Sequence, residues 1–276
     1  MGKRVFSTVV LWTILFVTVW FFRTTGSVVL LAALTALTLR EFYRLQAAAG
    51  RAPFPLFGIF FGVLIAIAPW LEARFGPPAH PLLALAVVVL AIRILGERAP
   101  EARVDALSST IFGLVYIAVL LQYLVRILTP LPGDAISPDG RLILCIWLVA
   151  VAKFCDTGAL LSGMAFGRHA LAPQISPKKT WEGAAGGIAV AALVGAGIAW
   201  LARGEIGAFL PPARAAMLAV PIAIVAIISD LVESVIKRQA ALKDSGAAIP
   251  GIGGIFDMMD SILLAAPVGY YLLGLH

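Results

Sequence analysis

Asp257 and Asp260 stand three residues apart in the stretch KDSGAAIPGIGGIFDMMDS, residues 243–261, at the head of an apolar run. On a helix that spacing puts both carboxylates on one face. Upstream, Asp230, Glu233, Ser234 and Lys237 fall at i, i+3, i+4 and i+7, with Arg238 flanking the face they share. Lys243 and Asp244 come next, then the turn PGIGG, in which Pro250 fixes the chain and Gly251, Gly253 and Gly254 permit positive φ and close backbone approach. A glycine turn that leads into a helix can offer backbone N–H groups to a phosphate. Two further groups precede these. KFCDTGALLSGMAFGRH, 153–169, carries Asp156 among small residues, and ISPKKTWEG, 175–183, carries Ser176, Lys178, Lys179, Thr180 and Glu182.

Hard carboxylate oxygens that leave room for water and phosphate oxygens are what Mg²⁺ prefers. Lysine and arginine would then balance the charge of a polyphosphate, the lysine pair as point charges. The chemistry these residues point to is metal-assisted phosphoryl or nucleotidyl transfer. Blander readings stand beside it. Asp156 has Lys153 three residues earlier as an ion-pair partner, and a lysine pair at the end of a span is commonly an anchor at the membrane surface. The whole set is also compatible with a structural ion-pair network, or with a cation-coupled transporter, since transporters use broken helices and intramembrane acids.

The elements that position these groups belong to a membrane protein. The chain has 276 residues, 61% hydrophobic and 13% charged, the composition of an all-α polytopic helix bundle. Apolar runs lie near 5–22, 26–39, 54–71, 80–96, 107–128, 142–161, 184–202, 212–229 and 259–275. With ~20 residues needed per crossing, they imply about nine transmembrane helices. KRVFSTVVLWTILFVTVWFF at the start is too long for a signal-peptide core and has no A-x-A-like site after it, so it reads as the first span. RTTG, 23–26, reads as a tight turn between the first two spans. On nine spans only Arg23, Arg74, Arg126, Arg141, Arg203 and Arg214 fall opposite the N-terminus, Lys153 lies within a span, and the remaining lysines and arginines share the N-terminal side. The positive-inside rule then places the N-terminus, and all three charged clusters, in the cytoplasm. The formal charge of +6 therefore describes an asymmetric membrane protein. No motif that reads nucleic acid is present.

Charge density divides the chain into membrane scaffold helices, residues 1–140, and a catalytic membrane region, 141–276. In the first part, Glu41 of REFYRL is read as belonging to an interfacial anchor or facing an arginine in the bundle. Cys145 and Cys155 are ten residues apart on one expected helix, roughly 15 Å at 1.5 Å per residue, and cannot form a disulfide with each other.

Residues 234–261, SVIKRQAALKDSGAAIPGIGGIFDMMDS, resemble the signature of the phosphatidate cytidylyltransferases, or CDP-diacylglycerol synthases. That family's pattern runs Ser, two residues, Lys-Arg, four residues, Lys-Asp, then Pro-Gly-His-Gly-Gly, two residues, Asp-Arg, one residue, Asp. Ser234, Lys237, Arg238, Lys243, Asp244, Pro250, Gly251, Gly253, Gly254, Asp257 and Asp260 occupy the matching places. The FCDTGA and SPKKTWEG segments extend the resemblance. It implies Mg²⁺-dependent formation of CDP-diacylglycerol and pyrophosphate from CTP and phosphatidate, within the lipids of a bacterial inner membrane and on its cytoplasmic face. It also implies Asp230 and Asp257 as metal carboxylates, with a second cation and a homodimer left open. Lys237, Arg238, Lys243 and Asp260 join them at the catalytic centre. Substrate binding falls to Asp156, Ser176, Lys178, Lys179, Thr180, Glu182, Ser234, Asp244, Gly251, Gly253 and Gly254. Two places depart from the pattern: the turn's histidine is Ile252, and the arginine after the first aspartate is Met258. Neither side chain offers a phosphate a hydrogen bond; Arg168 and His169 are candidates to compensate. A CTP-using polyprenol or dolichol-type kinase is the alternative enzyme.

Overall fold

The computed structural model describes residues 2–76, 81–96, 100–130, 133–242, 245–246 and 253–275; Lys243, Asp244, Pro250, Gly251 and Ile252 lie outside them. The chain runs through α1 (Gly2–Ala48), α2 (Pro55–Phe75), α3 (Leu82–Arg93), α4 (Pro100–Gly113), a π-helical turn (Leu114–Val119), α5 (Leu120–Leu128) and α6 (Pro138–Phe166). A hairpin of β1 (Ala170–Ala172) and β2 (Ser176–Thr180) follows, then α7 (Trp181–Leu201), α8 (Arg203–Ile206), α9 (Pro212–Gln239) and α10 (Ile255–Leu273). Among the described residues seven helices are long and apolar enough to cross a membrane: Phe21–Ala48, Pro55–Phe75, Ala102–Leu128, Pro138–Phe166, Trp181–Leu201, Pro212–Gln239 and Ile255–Leu273. The protein is thus an all-α, polytopic integral membrane protein. Of the other two apolar runs, residues 5–22 form the beginning of α1. The run at 80–96 gives only the 12-residue α3, about 18 Å long against a hydrocarbon core of ~30 Å.

One compact unit comprises Met1–Val125 and Ile236–Met259. The RTTG turn is visible as a break in α1, where Arg23 leaves helical geometry (φ 46°, ψ −131°). Residues eight apart in a straight helix are separated by roughly 12 Å along the axis. Yet a Cβ on Gly26 would lie 2.9 Å from the carbonyl oxygen of Thr18, so the chain bends sharply at Arg23. Further along, the Tyr43 ring fills a notch that only glycine leaves open: Gly58 of α2 and Gly113 of α4 both face it. Its hydroxyl donates to the Thr110 carbonyl at 3.0 Å, and Thr110 Oγ1 accepts from the Phe54 amide at 2.8 Å just before α2. Three helices are tied together at this buried polar contact.

The other unit comprises Arg126–Val235 and Asp260–His276. Its centre is the close packing of α6 against α7. A Cβ on Gly187 would stand 2.6 Å from the Cys155 carbonyl, and one on Gly183 2.8 Å from that of Ala159. Small residues let two backbones approach where the lipid supplies no hydrophobic drive. On α7, Gly183 and Gly187 are in this way covered by α6. Farther along, Trp147 Nε1 donates to the Gly195 carbonyl at 3.0 Å. Cys145 and Cys155 are buried thiols, not joined in a disulfide.

The hairpin was not expected. β1 and β2 pair antiparallel, Ala170 with Thr180 and Ala172 with Ser176. Pro177 lies inside β2. A two-stranded sheet consists of edges only, and an edge tolerates a residue with no N–H to donate. β2 then hands directly to α7, because Thr180 accepts the Gly183 amide at 3.1 Å as its N-cap.

Candidate functional site

Two groups of the expected residues are assembled, one in each unit. In the unit formed by Arg126–Val235 and Asp260–His276, the carboxylates of Asp230, Glu233 and Asp260 come within 4.8 Å of one another. Asp230 and Glu233 are a turn apart on α9, while Asp260 arrives from the first turns of α10. The contact is secured by Ser229, whose hydroxyl donates to the Asp260 carbonyl and accepts the Leu264 amide at 3.2 Å. Lys179 of the hairpin pairs with Asp230. Lys153 of α6 reaches Asp260 at 3.1 Å and Asp156 at 3.5 Å. Three like charges this close repel by several kcal/mol per pair at an effective dielectric of ~20. With Asp156 the group holds four carboxylates against two ammonium groups, an excess that one divalent cation would cancel. Hard oxygen donors at this spacing fit Mg²⁺, which takes carboxylates together with water and phosphate oxygens.

Beside these acids lies a cleft of about 510 Å³. Asp156, Asp230, Lys178, Lys179 and Thr180 supply its polar wall, and Leu160, Met164, Leu171 and Ile227 its apolar one. Of the ISPKKTWEG group, then, Lys178, Lys179 and Thr180 face the cleft. Glu182 is engaged elsewhere. It accepts the backbone amides of Arg168 and His169 at 3.1 and 3.2 Å, and the His169 ring at 2.5 Å. It therefore pins the chain where α6 turns into the hairpin, and His169 is drawn to it. Ser176 opens β2 and is not part of the cleft lining.

In the unit formed by Met1–Val125 and Ile236–Met259, Asp257 is the centre. Its carboxylate accepts from Lys237 Nζ at 2.9 Å, the Ser245 amide at 3.1 Å and the Gly254 amide at 2.9 Å. The last contact caps the start of α10. Gly253 has φ 126°, a backbone state that residues with a Cβ rarely adopt, so the turn needs glycine there. Lys237 is the last-turn lysine of α9, while Arg238 beside it is exposed and Ser234 half-buried. Met258 is half-buried on α10. Lys243, Asp244 and Gly251, expected in the same group, lie outside the described residues.

Glu41 is not an exposed anchor, and among the described residues it pairs with no arginine. It is buried, and its Oε2 accepts from Ser245 Oγ at 3.1 Å and from the Phe256 amide at 2.9 Å. Sequence reasoning also passed over Glu233 as a ligand, though its place three residues after Asp230 had put it on the right face. An acid within an apolar span, the signal that singled out Asp156, was present at Glu41 as well.

The chain matches the cytidylyltransferase family across residues 2–276. It belongs to that family. It is similar to phosphatidate cytidylyltransferase 5, chloroplastic, of Arabidopsis thaliana, 32% identical over 280 residues that cover 90% of this chain and 66% of the relative. A phosphatidate cytidylyltransferase of Synechocystis is 30% identical over 87% of this chain and 86% of the relative. The namesake from Brucella suis is 42% identical over 125 residues, 45% of this chain and 44% of the relative.

Proposed function

We infer that this membrane protein transfers the cytidylyl group of CTP to phosphatidate, giving CDP-diacylglycerol and pyrophosphate for phospholipid biosynthesis. The observation that carries this reading is the acid trio with its paired lysines beside a cleft of about 510 Å³, in a chain that matches the cytidylyltransferase family along residues 2–276. In the reaction a phosphatidate oxygen forms a bond to the α-phosphorus of CTP as the bond to the β-phosphate oxygen breaks, and pyrophosphate leaves. No side-chain nucleophile is needed, so the protein's part is positioning and charge neutralisation.

Asp230 is the proposed metal carboxylate of the trio, aided by Glu233 and Asp260, and Asp257 is the second, with lone pairs already committed to Lys237 and two amides. Bound there, Mg²⁺ would neutralise phosphate charge as it develops. Lys178 and Lys179 are suited to hold phosphate in the cleft, whose apolar wall of Leu160, Met164 and Ile227 suits the acyl chains of a lipid. Lys237 and Arg238 are proposed for the triphosphate. The active site is placed on the cytoplasmic face of a bacterial inner membrane, where CTP is available, on the strength of the lysine and arginine asymmetry. A homodimer, implied by the resemblance, enters no step of this reaction.

The purified protein is expected to release pyrophosphate from CTP only when phosphatidate and Mg²⁺ are both present, with a lipid product carrying CMP. Release of CDP would instead mark a lipid kinase. A folded preparation that yields neither product would overturn the assignment.

A further inference from the structure

Glu41 is 5% exposed on α1, in the part of the chain whose sequence promised only scaffold. A carboxylate this deep costs several kcal/mol unless its oxygens are satisfied. Two groups satisfy one of them, and they come from the two ends of a single segment: the Ser245 hydroxyl before the glycine turn and the Phe256 amide after it. The fit is tight at both ends. A Cβ on Gly246 would lie 2.8 Å from Glu41 Oε1, and one on Gly254 would collide with Glu41 Oε2 and Ser245 Oγ. Glycine at 246 and 254 is thus favoured by the presence of this carboxylate. The N-terminal end of α10 also gives the site a partial positive charge that favours an anion.

The same two ends hold Asp257. Ser245 gives its hydroxyl to Glu41 and its amide to Asp257, and Gly254, packed against Glu41, gives its amide to Asp257 as well. Asp257 in turn fixes Lys237. We propose that Glu41 is a positioning residue for cytidylyl transfer: it clamps the two ends of the 245–256 segment so that the Asp257–Lys237 pair is set for the nucleotide. The proposal rests on the cytidylyltransferase reading and adds to it a residue of α1 that touches no substrate.

The test is steady-state kinetics of purified wild type, Glu41→Leu, Glu41→Gln and Ser245→Ala, with CTP and phosphatidate varied separately. Wild-type pyrophosphate release must be present first; its absence would overturn the reaction and, with it, the clamp that rests on it. Given an active wild type, Glu41→Leu is expected to lower kcat/KM for CTP about tenfold or more, while KM for phosphatidate stays within about twofold. Glutamine keeps an acceptor oxygen where Oε2 stands, so Glu41→Gln is expected to recover to within about threefold of wild type. A role in stability alone would lower the yield of folded protein and the Tm but leave kcat per folded molecule and the CTP dependence unchanged. That result, or a Glu41→Gln as impaired as Glu41→Leu, would overturn the proposal. Should Glu41→Leu fail to fold, Ser245→Ala decides: it removes one hydroxyl, and a fall of about threefold to tenfold in kcat/KM for CTP supports the clamp, whereas wild-type kinetics overturns it.

Discussion

Replacing Asp230 by asparagine removes a negative charge from a carboxylate trio and leaves Lys179 without its ionic partner. A Mg²⁺ ion held as proposed would then lose a ligand and a source of charge compensation together. Pyrophosphate release is expected to fall about 10²-fold, and the Mg²⁺ concentration needed for half-maximal rate to rise; a Mg²⁺ titration of both proteins measures each. Glu182→Gln should behave differently although it belongs to the same resemblance. Glu182 serves the amides of Arg168 and His169, and glutamine keeps a carbonyl acceptor, so activity within about threefold of wild type and a lowered Tm are expected. Asp230, Asp260 and Asp156 were legible as isolated residues because an acid in an apolar span is costly and needs a reason. The Lys179 to Asp230 and Lys153 to Asp260 pairings were not, because they depend on how separate helices pack, which no local spacing encodes. Glu182 was read toward substrate by its neighbours in the motif, and its contacts with Arg168 and His169 could not be read from spacing.

At the scale of elements, the apolar runs of the sequence coincide with helices, seven of them long enough to cross a membrane among the described residues, whereas the close contact of α6 with α7 through their glycines was not read from the sequence. What length could not show is how little of that glycine content is interchangeable. Gly187 has a backbone carbonyl 2.6 Å from where its Cβ would stand, whereas Gly197, on the same helix, has nothing within 4 Å. Gly187→Ala must push α6 and α7 apart and is expected to cost roughly 1–3 kcal/mol. Gly197→Ala gains helix propensity without a clash and is expected to stabilise by about 0.5–1 kcal/mol. Thermal unfolding of the two variants in one detergent would show shifts of opposite sign, and equal shifts would contradict the packing described. The hairpin escaped sequence reading because proline in β2 looks like a break until the strand is known to be an edge.

For the molecule as a whole, orientation in the bilayer decides whether the reaction can draw on cytoplasmic CTP, and it is carried by the distribution of lysine and arginine alone. Charge density also suggested a boundary at residue 140, whereas the compact units each combine an earlier stretch with a later one; charge reports on loops, not on which helices pack. The orientation can be tested without touching the site. Cys145 and Cys155 are both buried, so the unaltered chain is expected to be silent to a membrane-impermeant maleimide. Gln174, in the exposed turn of the hairpin, and Gly204, with open space around it, flank the two ends of α7. At 21 residues α7 is about 31 Å long, enough to cross the hydrocarbon core, so the two positions must lie on opposite sides. If the N-terminus is cytoplasmic, Gln174→Cys should be labelled in inverted vesicles and protected in intact cells, and Gly204→Cys should show the reverse. The opposite pattern would put Lys178 and Lys179 on the face away from CTP and defeat the proposed reaction at that membrane. Labelling of both variants from the same side would instead mean that α7 does not span, which its length and composition argue against.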